Sequence, residues 1–180
     1  YFAWLPSVPE GRVHAEITVN GNRLSLSGSG YHDHNWGNMG MFWLMHHWYW
    51  GRAKVGEYQV ISSYITANKK HGYEHFPIFV IYKNGERLGC DIDSITYEQR
   101  DKAFDPITKK HYHKTIVYDY NDGGCHFRIT YSAKDIIETF VVEQGYGSAR
   151  AKASKLMIWG VKALGLSPSY IRMVGDITLE

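Results

Sequence analysis

The chain has few of the features that would place it at once in a common functional class. Its 180 residues include only two cysteines, Cys90 and Cys125, which neither require nor exclude a disulfide, and we expect both to be reduced. Its 20 basic and 18 acidic residues leave a net charge of +2, which offers no electrostatic footprint for nucleic acid or an anionic membrane. No apolar run is long enough for a membrane-spanning helix. A polyanionic partner is therefore not expected.

Signals for processing and for common enzyme classes are also missing. The sequence has no Asn-x-Ser/Thr sequon and no signal-peptide pattern, which favours a cytoplasmic location. It contains no Gly-x-Ser-x-Gly elbow, phosphate loop or dinucleotide fingerprint. Because the chain begins with Tyr1 rather than Met, we expect it to be a piece of a longer protein.

What the sequence does contain is the alternation of apolar and polar residues that is typical of β-strands. In Arg12–Asn20 every second residue is apolar, and Asn20-Gly21-Asn22 then predicts a tight turn into a return strand. Similar runs follow at Met41–Ala53, Tyr58–Ala67, Phe76–Lys83, Arg87–Ile92, Ile95–Asp101, His111–Asp119, His126–Tyr131, Ile136–Glu143 and Tyr170–Leu179. A single helix is predicted over Ser148–Leu164. The sequence therefore predicts one all-β domain over residues 1–180, an antiparallel β-barrel with this C-terminal-region helix packed outside.

The densest group of polar and aromatic residues lies between two glycine-containing stretches, at residues 31–36. If this segment is a strand, its side chains point alternately to two faces, with His32, His34 and Trp36 on one and Tyr31, Asp33 and Asn35 on the other. Asp33 could accept hydrogen bonds or, if desolvated, act as a general acid. The competing interpretation is a buried polar network that fixes a loop.

A second aromatic group lies at residues 48–52, in a chain that is 15% aromatic. Alternation directs Trp48, Trp50 and Arg52 to one side of a strand, which forms an aromatic wall that ends in a cation. Such a wall could shape an apolar chain, stabilise a developing positive charge or let Arg52 polarise a carbonyl. The alternative is a packed core in which Arg52 pairs with a carboxylate such as Asp33 or Glu57.

Two histidine pairs have the spacing at which a strand directs both rings the same way, His32 with His34 and His111 with His113. Neither pair has an obvious third ligand, so we expect no metal. Cys90 and Cys125 lack the electropositive setting of a catalytic thiol.

The motif Gly28-x-Gly30-Tyr31-His32-Asp33-His34-Asn35-Trp36-Gly37, followed by Trp48-Tyr49-Trp50-Gly51-Arg52, resembles the hydroxyneurosporene synthase family of carotenoid hydratases and the related fungal Diels-Alderases. The resemblance covers nearly the whole chain. It implies two lipocalin-like domains, a hydrophobic pocket at or near their contact, and no cofactor. This chain is similar to the C-terminal domain, so the expected partners are an N-terminal lipocalin-like domain and a hydrophobic small molecule.

Two chemistries compete within this resemblance. A pericyclase or cyclase folds a polyene into its reactive conformer, while Arg52 or Asn35 polarises the dienophile. In a hydratase Asp33 protonates an alkene, Trp36, Trp48 or Trp50 stabilises the cation, and His32 or Asn35 holds the water. The resemblance favours the cyclase, with a non-catalytic carrier as a third alternative. The candidate catalytic residues are Asp33, Arg52, His32 and Asn35, and the candidate substrate-binding residues are Trp36, Trp48, Trp50, Tyr31 and His34.

Overall fold

The computed structural model describes residues 1–89, 91–141, 160, 163 and 167–180, without the side chain of Phe42. The chain divides into two compact units, Tyr1–Thr96 with Tyr120–His126, and Tyr97–Asp119 with Phe127–Glu180. The described residues form ten strands, β1 (Phe2–Val19), β2 (Asn22–Gly37), β3 (Met45–Val55), β4 (Tyr58–Ala67), β5 (His75–Lys83), β6 (Glu86–Gly89), β7 (Ile95–Asp105), β8 (Lys110–Asn121), β9 (His126–Val141) and β10 (Ser169–Leu179). The prediction of an all-β antiparallel fold is confirmed.

Strands β1 and β2 form a long hairpin that begins earlier in the chain than the sequence predicts. Its turn is the predicted one, with Asn20 at φ 51° and Gly21 at φ 81°, as expected for a two-residue hairpin loop. The β1–β2 register shifts twice, between Leu5 and Val8 and between Val8 and Gly11. Pro6 and Pro9 lie within these shifts, where their missing N–H groups cost no regular ladder hydrogen bond. The prolines therefore interrupt the register without ending the strand.

The second sheet of the first unit has the order β3-β4-β5-β6. Its buried side chains concentrate on β4 and β5, at Val60, Ile61, Ser62, Ser63, Phe79 and Ile81. Four consecutive buried residues on β4 mean that both faces of this strand are covered, as in a central strand. The Ser63 hydroxyl meets its hydrogen-bonding requirement by donating to the Tyr49 carbonyl at 2.9 Å. Tyr120 stacks on Phe79 with ring centroids 5.7 Å apart and leaves no room for a side chain at Gly89.

The second unit is built on the sheet β10-β9-β8-β7. Its buried apolar residues are Ile116, Val117, Tyr118, Ile129 and Val141. The Tyr118 ring contacts those of Tyr97 and Tyr131, at centroid distances of 5.1 and 6.2 Å. Between β7 and β8, the buried Asp105 carboxylate accepts hydrogen bonds from both the backbone N–H and the hydroxyl of Thr108. This pair closes the turn and offsets part of the cost of burying a carboxylate.

Several element boundaries differ from the predicted ones. Strand β9 is continuous where the sequence predicts two strands, because β10 pairs along its length and absorbs the mismatch in two register shifts. Strand β3 begins only at Met45, since Met41–Trp43 is a 3-10 turn, and β6 ends at Gly89. The predicted helix, Ser148–Leu164, lies outside the described residues except for Gly160 and Ala163, which are helical. The described strands belong to three sheets and are consistent with a lipocalin-like fold; their closure into a barrel stays a prediction.

Candidate functional site

The contacts of β2 follow the alternation expected from its sequence. Tyr31 and Asp33 share one face, where the Tyr31 hydroxyl donates to Asp33 Oδ2 at 2.9 Å. His34 and Trp36 share the other, with their rings stacked 5.4 Å apart and inclined by 20°. Tyr31 and Asp33 are half-buried, whereas His34 and Trp36 are exposed. The motif therefore has a sheltered face and a solvent face.

Asp33 lies at the centre of the sheltered face. The indole Nε1 of Trp4, on β1, donates to the same Oδ2 atom at 2.8 Å. Trp4 can reach it because β1 and β2 place Trp4 opposite Asn35, two residues along the strand from Asp33. Asp33 is therefore an acceptor of two hydrogen bonds, from an indole and from a phenol.

Tyr31 is held as a neutral phenol by its surroundings. Burial is the largest cause that raises the pKa of Tyr31 well above its usual value, and the hydrogen bond to Asp33 raises the pKa further. The positive charge of Arg52 acts in the opposite direction but does not offset these effects. Tyr31 thus keeps its proton, which it directs at Asp33.

Strand β3 completes the cluster from the neighbouring sheet of the same unit. The guanidinium carbon of Arg52 lies 4.9 Å from the centre of the Tyr31 ring, a cation-π geometry. The Trp50 ring lies 5.7 Å from the Tyr31 ring and is tilted by 57°. We call Trp4, Tyr31, Asp33, Trp50 and Arg52 the Asp33 cluster.

The Asp33 cluster brings together four of the nine candidate residues. Arg52 does not pair with Glu57, as one alternative had it, because Glu57 faces Lys83 at 3.8 Å while Arg52 lies over Tyr31. The other five candidates lie apart from the contacts of the cluster. His32 is exposed and bonded to Ser7, His34 and Trp36 form their own stack, Asn35 is exposed, and Trp48 is half-buried beside Ile65 in register.

Sequence reasoning missed Trp4, which supplies half of the hydrogen bonding to Asp33. Its strand was predicted to begin only at Arg12, because Pro6 and Pro9 conceal the alternation before that point. Trp4 lies eight residues before Arg12, where the predicted strand begins. The one available signal was that the indole N–H of Trp4 needs an acceptor and that Trp4 lies near the predicted strands, one of which carries the Asp33 carboxylate.

A cleft of about 220 Å³ adjoins the cluster at Arg52. Its polar lining comes from Glu10 of β1, Ser29 of β2, and Arg52, Lys54 and Gln59 of β3 and β4. The Glu10 carboxylate accepts from Lys54 at 2.5 Å and also from the Gln59 amide. Of the nine candidate residues, Arg52 alone lines this cleft.

The histidine pairs show no arrangement for a metal within the described part of the chain, where no three His, Cys, Asp or Glu side chains form such a group. His113 is half-buried, and burial is the largest cause that lowers its pKa, followed by the charge of Lys102. Cys125 carries a free thiol, and Cys90 is outside the described residues. Among the helices described, none has the length and apolarity to cross a membrane.

Fold and site together define an all-β protein with an aromatic, carboxylate and guanidinium cluster between a hairpin and a neighbouring sheet. A family model described as Diels-Alderase-like matches residues 1–146. The chain belongs to the Diels-Alderase-like family. The resemblance stated from the sequence motif is thereby confirmed.

Curated relatives agree with this family. The chain is 31% identical over 90 residues to the quinolone epoxide rearrangement protein asqO of Emericella nidulans, covering 49% of this chain and 24% of the relative. It is 28% identical over 86 residues to the Diels-Alderase phmD of Phaeosphaeria nodorum, with 48% and 24% covered. It is 38% identical over 56 residues to the hydroxyneurosporene dehydrogenase of Chlorobaculum tepidum, with 28% and 15% covered. The match thus spans about a quarter of the two fungal relatives.

Proposed function

We propose that this chain belongs to a cofactor-independent cyclase of the pericyclase type, which acts on a hydrophobic polyene or terpenoid-type intermediate of secondary metabolism. Family membership supports this, as do the relatives named as a Diels-Alderase and as epoxide rearrangement proteins. The observation that carries the proposal is the guanidinium of Arg52, held 4.9 Å from the Tyr31 ring centre on the same ring that Trp50 contacts.

A pericyclic reaction needs few catalytic groups from the protein. Bond formation is concerted, so the main contribution is to hold the two reacting ends of the polyene close together and aligned. The rings of Trp50 and Tyr31 offer apolar surfaces against which such a chain can fold. The N–H groups of Arg52 can donate to a carbonyl conjugated with the dienophile, which withdraws electron density from it and lowers the barrier.

In this proposal Asp33 is a positioning residue and not the proton donor of a hydratase. Both hydrogen bonds arrive at its Oδ2, so Asp33 orients the phenol of Tyr31 on which Arg52 rests. This geometry disfavours the hydratase alternative, in which Asp33 must donate a proton to an alkene. Catalytic roles for His32 and Asn35, and substrate contacts for Trp36, Trp48 and His34, stay predictions.

The activity of the whole protein is also a proposal. Since the match spans about a quarter of the fungal relatives, the rest of the pocket is proposed to come from an N-terminal lipocalin-like domain. The hydrophobic small-molecule substrate and the cytoplasmic location are likewise predictions.

The test is turnover by the full protein of a conjugated triene that carries an electron-poor alkene next to a carbonyl. Loss of the triene absorbance and appearance of the cyclised product of unchanged mass measure the rate. We expect Arg52→Met to lower the rate at least about tenfold, because the loss of one preorganised hydrogen-bond donor costs about 10²-fold in rate. Asp33→Asn should cost less than tenfold, because an amide oxygen can still accept from Trp4 and Tyr31.

The control is Lys83→Met, which removes the same charge from a cation that also lies over a tyrosine ring, Tyr58. A folded Asp33→Asn variant that loses on the order of 10²- to 10⁴-fold would instead support acid catalysis and the hydratase. Saturable binding without any conversion above the uncatalysed rate would support the carrier.

A further inference from the structure

The charges around the cleft do not cancel. Glu10 is the one acidic residue among the described residues that line it, and Lys54 and Gln59 both donate to that carboxylate. Arg52, the other cation of the lining, has no carboxylate within 4.0 Å among the residues that the structure describes. Among the described residues of the lining, Arg52 is therefore the one charged side chain without an ion-pair partner within 4.0 Å.

The guanidinium of Arg52 also lies against an aromatic ring, that of Tyr31. Its central carbon lies over the Tyr31 ring, 4.9 Å from the ring centre, and an arginine that packs on an aromatic ring keeps N–H donors available for a ligand. The ring beneath it is fixed because Tyr31 donates to Asp33, which accepts a second hydrogen bond from Trp4. A long side chain whose platform is fixed loses less entropy on binding a ligand.

An arginine with free edge donors is matched by a planar anion that has two oxygen atoms. We propose that the cleft binds a carboxylate-type group at one end of the hydrophobic ligand, with Arg52 as the residue that determines this specificity. This inference rests on the proposed function for the hydrophobic part of the ligand, and the carbonyl that Arg52 contacts in that proposal is then part of this carboxylate-type group.

Two polyenes of nearly equal size test the proposal, since retinoic acid ends in a carboxylate and retinol in a neutral hydroxyl. Binding of each to the full protein is measured by quenching of tryptophan fluorescence at about pH 8, where a carboxylic acid is ionised. We expect the acid to bind about tenfold more tightly than the alcohol, the lower end of what charge-assisted hydrogen bonds contribute. Arg52→Met should bring this ratio close to one.

Two further variants separate geometry from charge. Arg52→Lys keeps the charge but loses the planar fork, so we expect an acid-to-alcohol preference between those of the wild type and Arg52→Met. Lys83→Met removes a cation that faces Glu57 outside the cleft and should leave the preference unchanged.

Equal affinity of the wild type for acid and alcohol would overturn the inference, as would a preference that survives Arg52→Met or falls equally in Lys83→Met. Absence of saturable binding of either polyene would overturn it together with the hydrophobic ligand on which it rests. Because no turnover is measured, failure of the pericyclase proposal alone leaves the acid preference in place.

Discussion

At the scale of single residues, Trp4 and Tyr31 converge on one oxygen atom of Asp33, from two different strands. Such an arrangement orients rings as much as it satisfies a carboxylate, because each donor is rigid and aromatic. Asp33 therefore links the hairpin to the position of Arg52 through Tyr31. Substitutions at Trp4 and Tyr31 should therefore affect the free energy of unfolding more than the reaction rate.

Trp4→Phe keeps an aromatic ring but removes one of the two donors to Asp33. We expect the free energy of unfolding to fall by about 1 to 3 kcal/mol, the cost of a lost hydrogen bond to a charged acceptor. Urea unfolding followed by circular dichroism measures it. Trp43→Phe, at a tryptophan that is 50% exposed, is the control and should stay within about 0.5 kcal/mol of the wild type. Equal losses in both variants would show that the Trp4 hydrogen bond contributes nothing.

The raised pKa of Tyr31 predicts that the stability of the folded protein changes with pH in the alkaline range. The pKa of Tyr31 is raised in the folded chain, above an unfolded value of 10.0, so the folded state holds the proton more tightly. Below this value Tyr31 is protonated in both states and the contribution is constant. Above it the unfolded chain releases the proton first and gains stability, so the folded protein becomes less stable as pH rises. The free energy of unfolding should fall less between about pH 9 and about pH 11 in Tyr31→Phe than in the wild type; an identical fall contradicts the predicted shift.

At the scale of elements, the β1–β2 hairpin depends on a turn in which Gly21 has φ 81°. Gly21→Ala places a Cβ in a backbone conformation that L-residues rarely adopt, and we expect a loss of about 1 to 3 kcal/mol. Gly28→Ala is the matched control in the same hairpin, because its Cβ would meet nothing within 4 Å and its φ is not in the left-handed region. Chemical unfolding compares the two variants. A cost as large at Gly28 would mean that glycine flexibility along the strand, and not the turn, is what matters.

The same hairpin shows what sequence patterns can and cannot predict. Asn20-Gly21 predicted the turn because local chemistry alone selects positive φ, and alternation predicted which faces of β2 carry Tyr31 and Trp36. The first ten residues of β1 were missed, because two prolines break the alternation and only pairing with β2 keeps the strand extended. Strand β9 was divided for the same reason, since partner strand β10 decides its continuity.

The candidate site was predictable in proportion to how local its contacts are. The i to i+2 contact of Tyr31 with Asp33 follows from strand geometry alone. The contacts of Trp50 and Arg52 with Tyr31 join two sheets, and Trp4 reaches Asp33 across 29 residues of chain. No periodicity encodes such pairings, so the sequence could identify the residues of the cluster but not which of them meet.

At the scale of the whole molecule, buried side chains are distributed unevenly, and local stability should follow. In the first unit they concentrate on β4 and β5, whereas every residue of Asn22–Ser29 in β2 is exposed, and among the described strands β2 has only β1 as its hydrogen-bonded neighbour. Amides with few buried contacts open by local fluctuations that cost much less than global unfolding. Hydrogen exchange followed by mass spectrometry should therefore show faster exchange in peptides from residues 22–29 than in peptides from Tyr58–Ala67.

A polyene that binds at the Asp33 cluster adds contacts to the folded state only, so at a hundredfold excess over its Kd it can stabilise that state by about 2.7 kcal/mol. Its protection should appear around Tyr31 and Asp33 and leave the turn at Asn20-Gly21 unchanged. Equal protection of residues 22–29 and of β4 would contradict the uneven distribution of stability, and ligand protection confined to the second unit would place the binding site away from the Asp33 cluster.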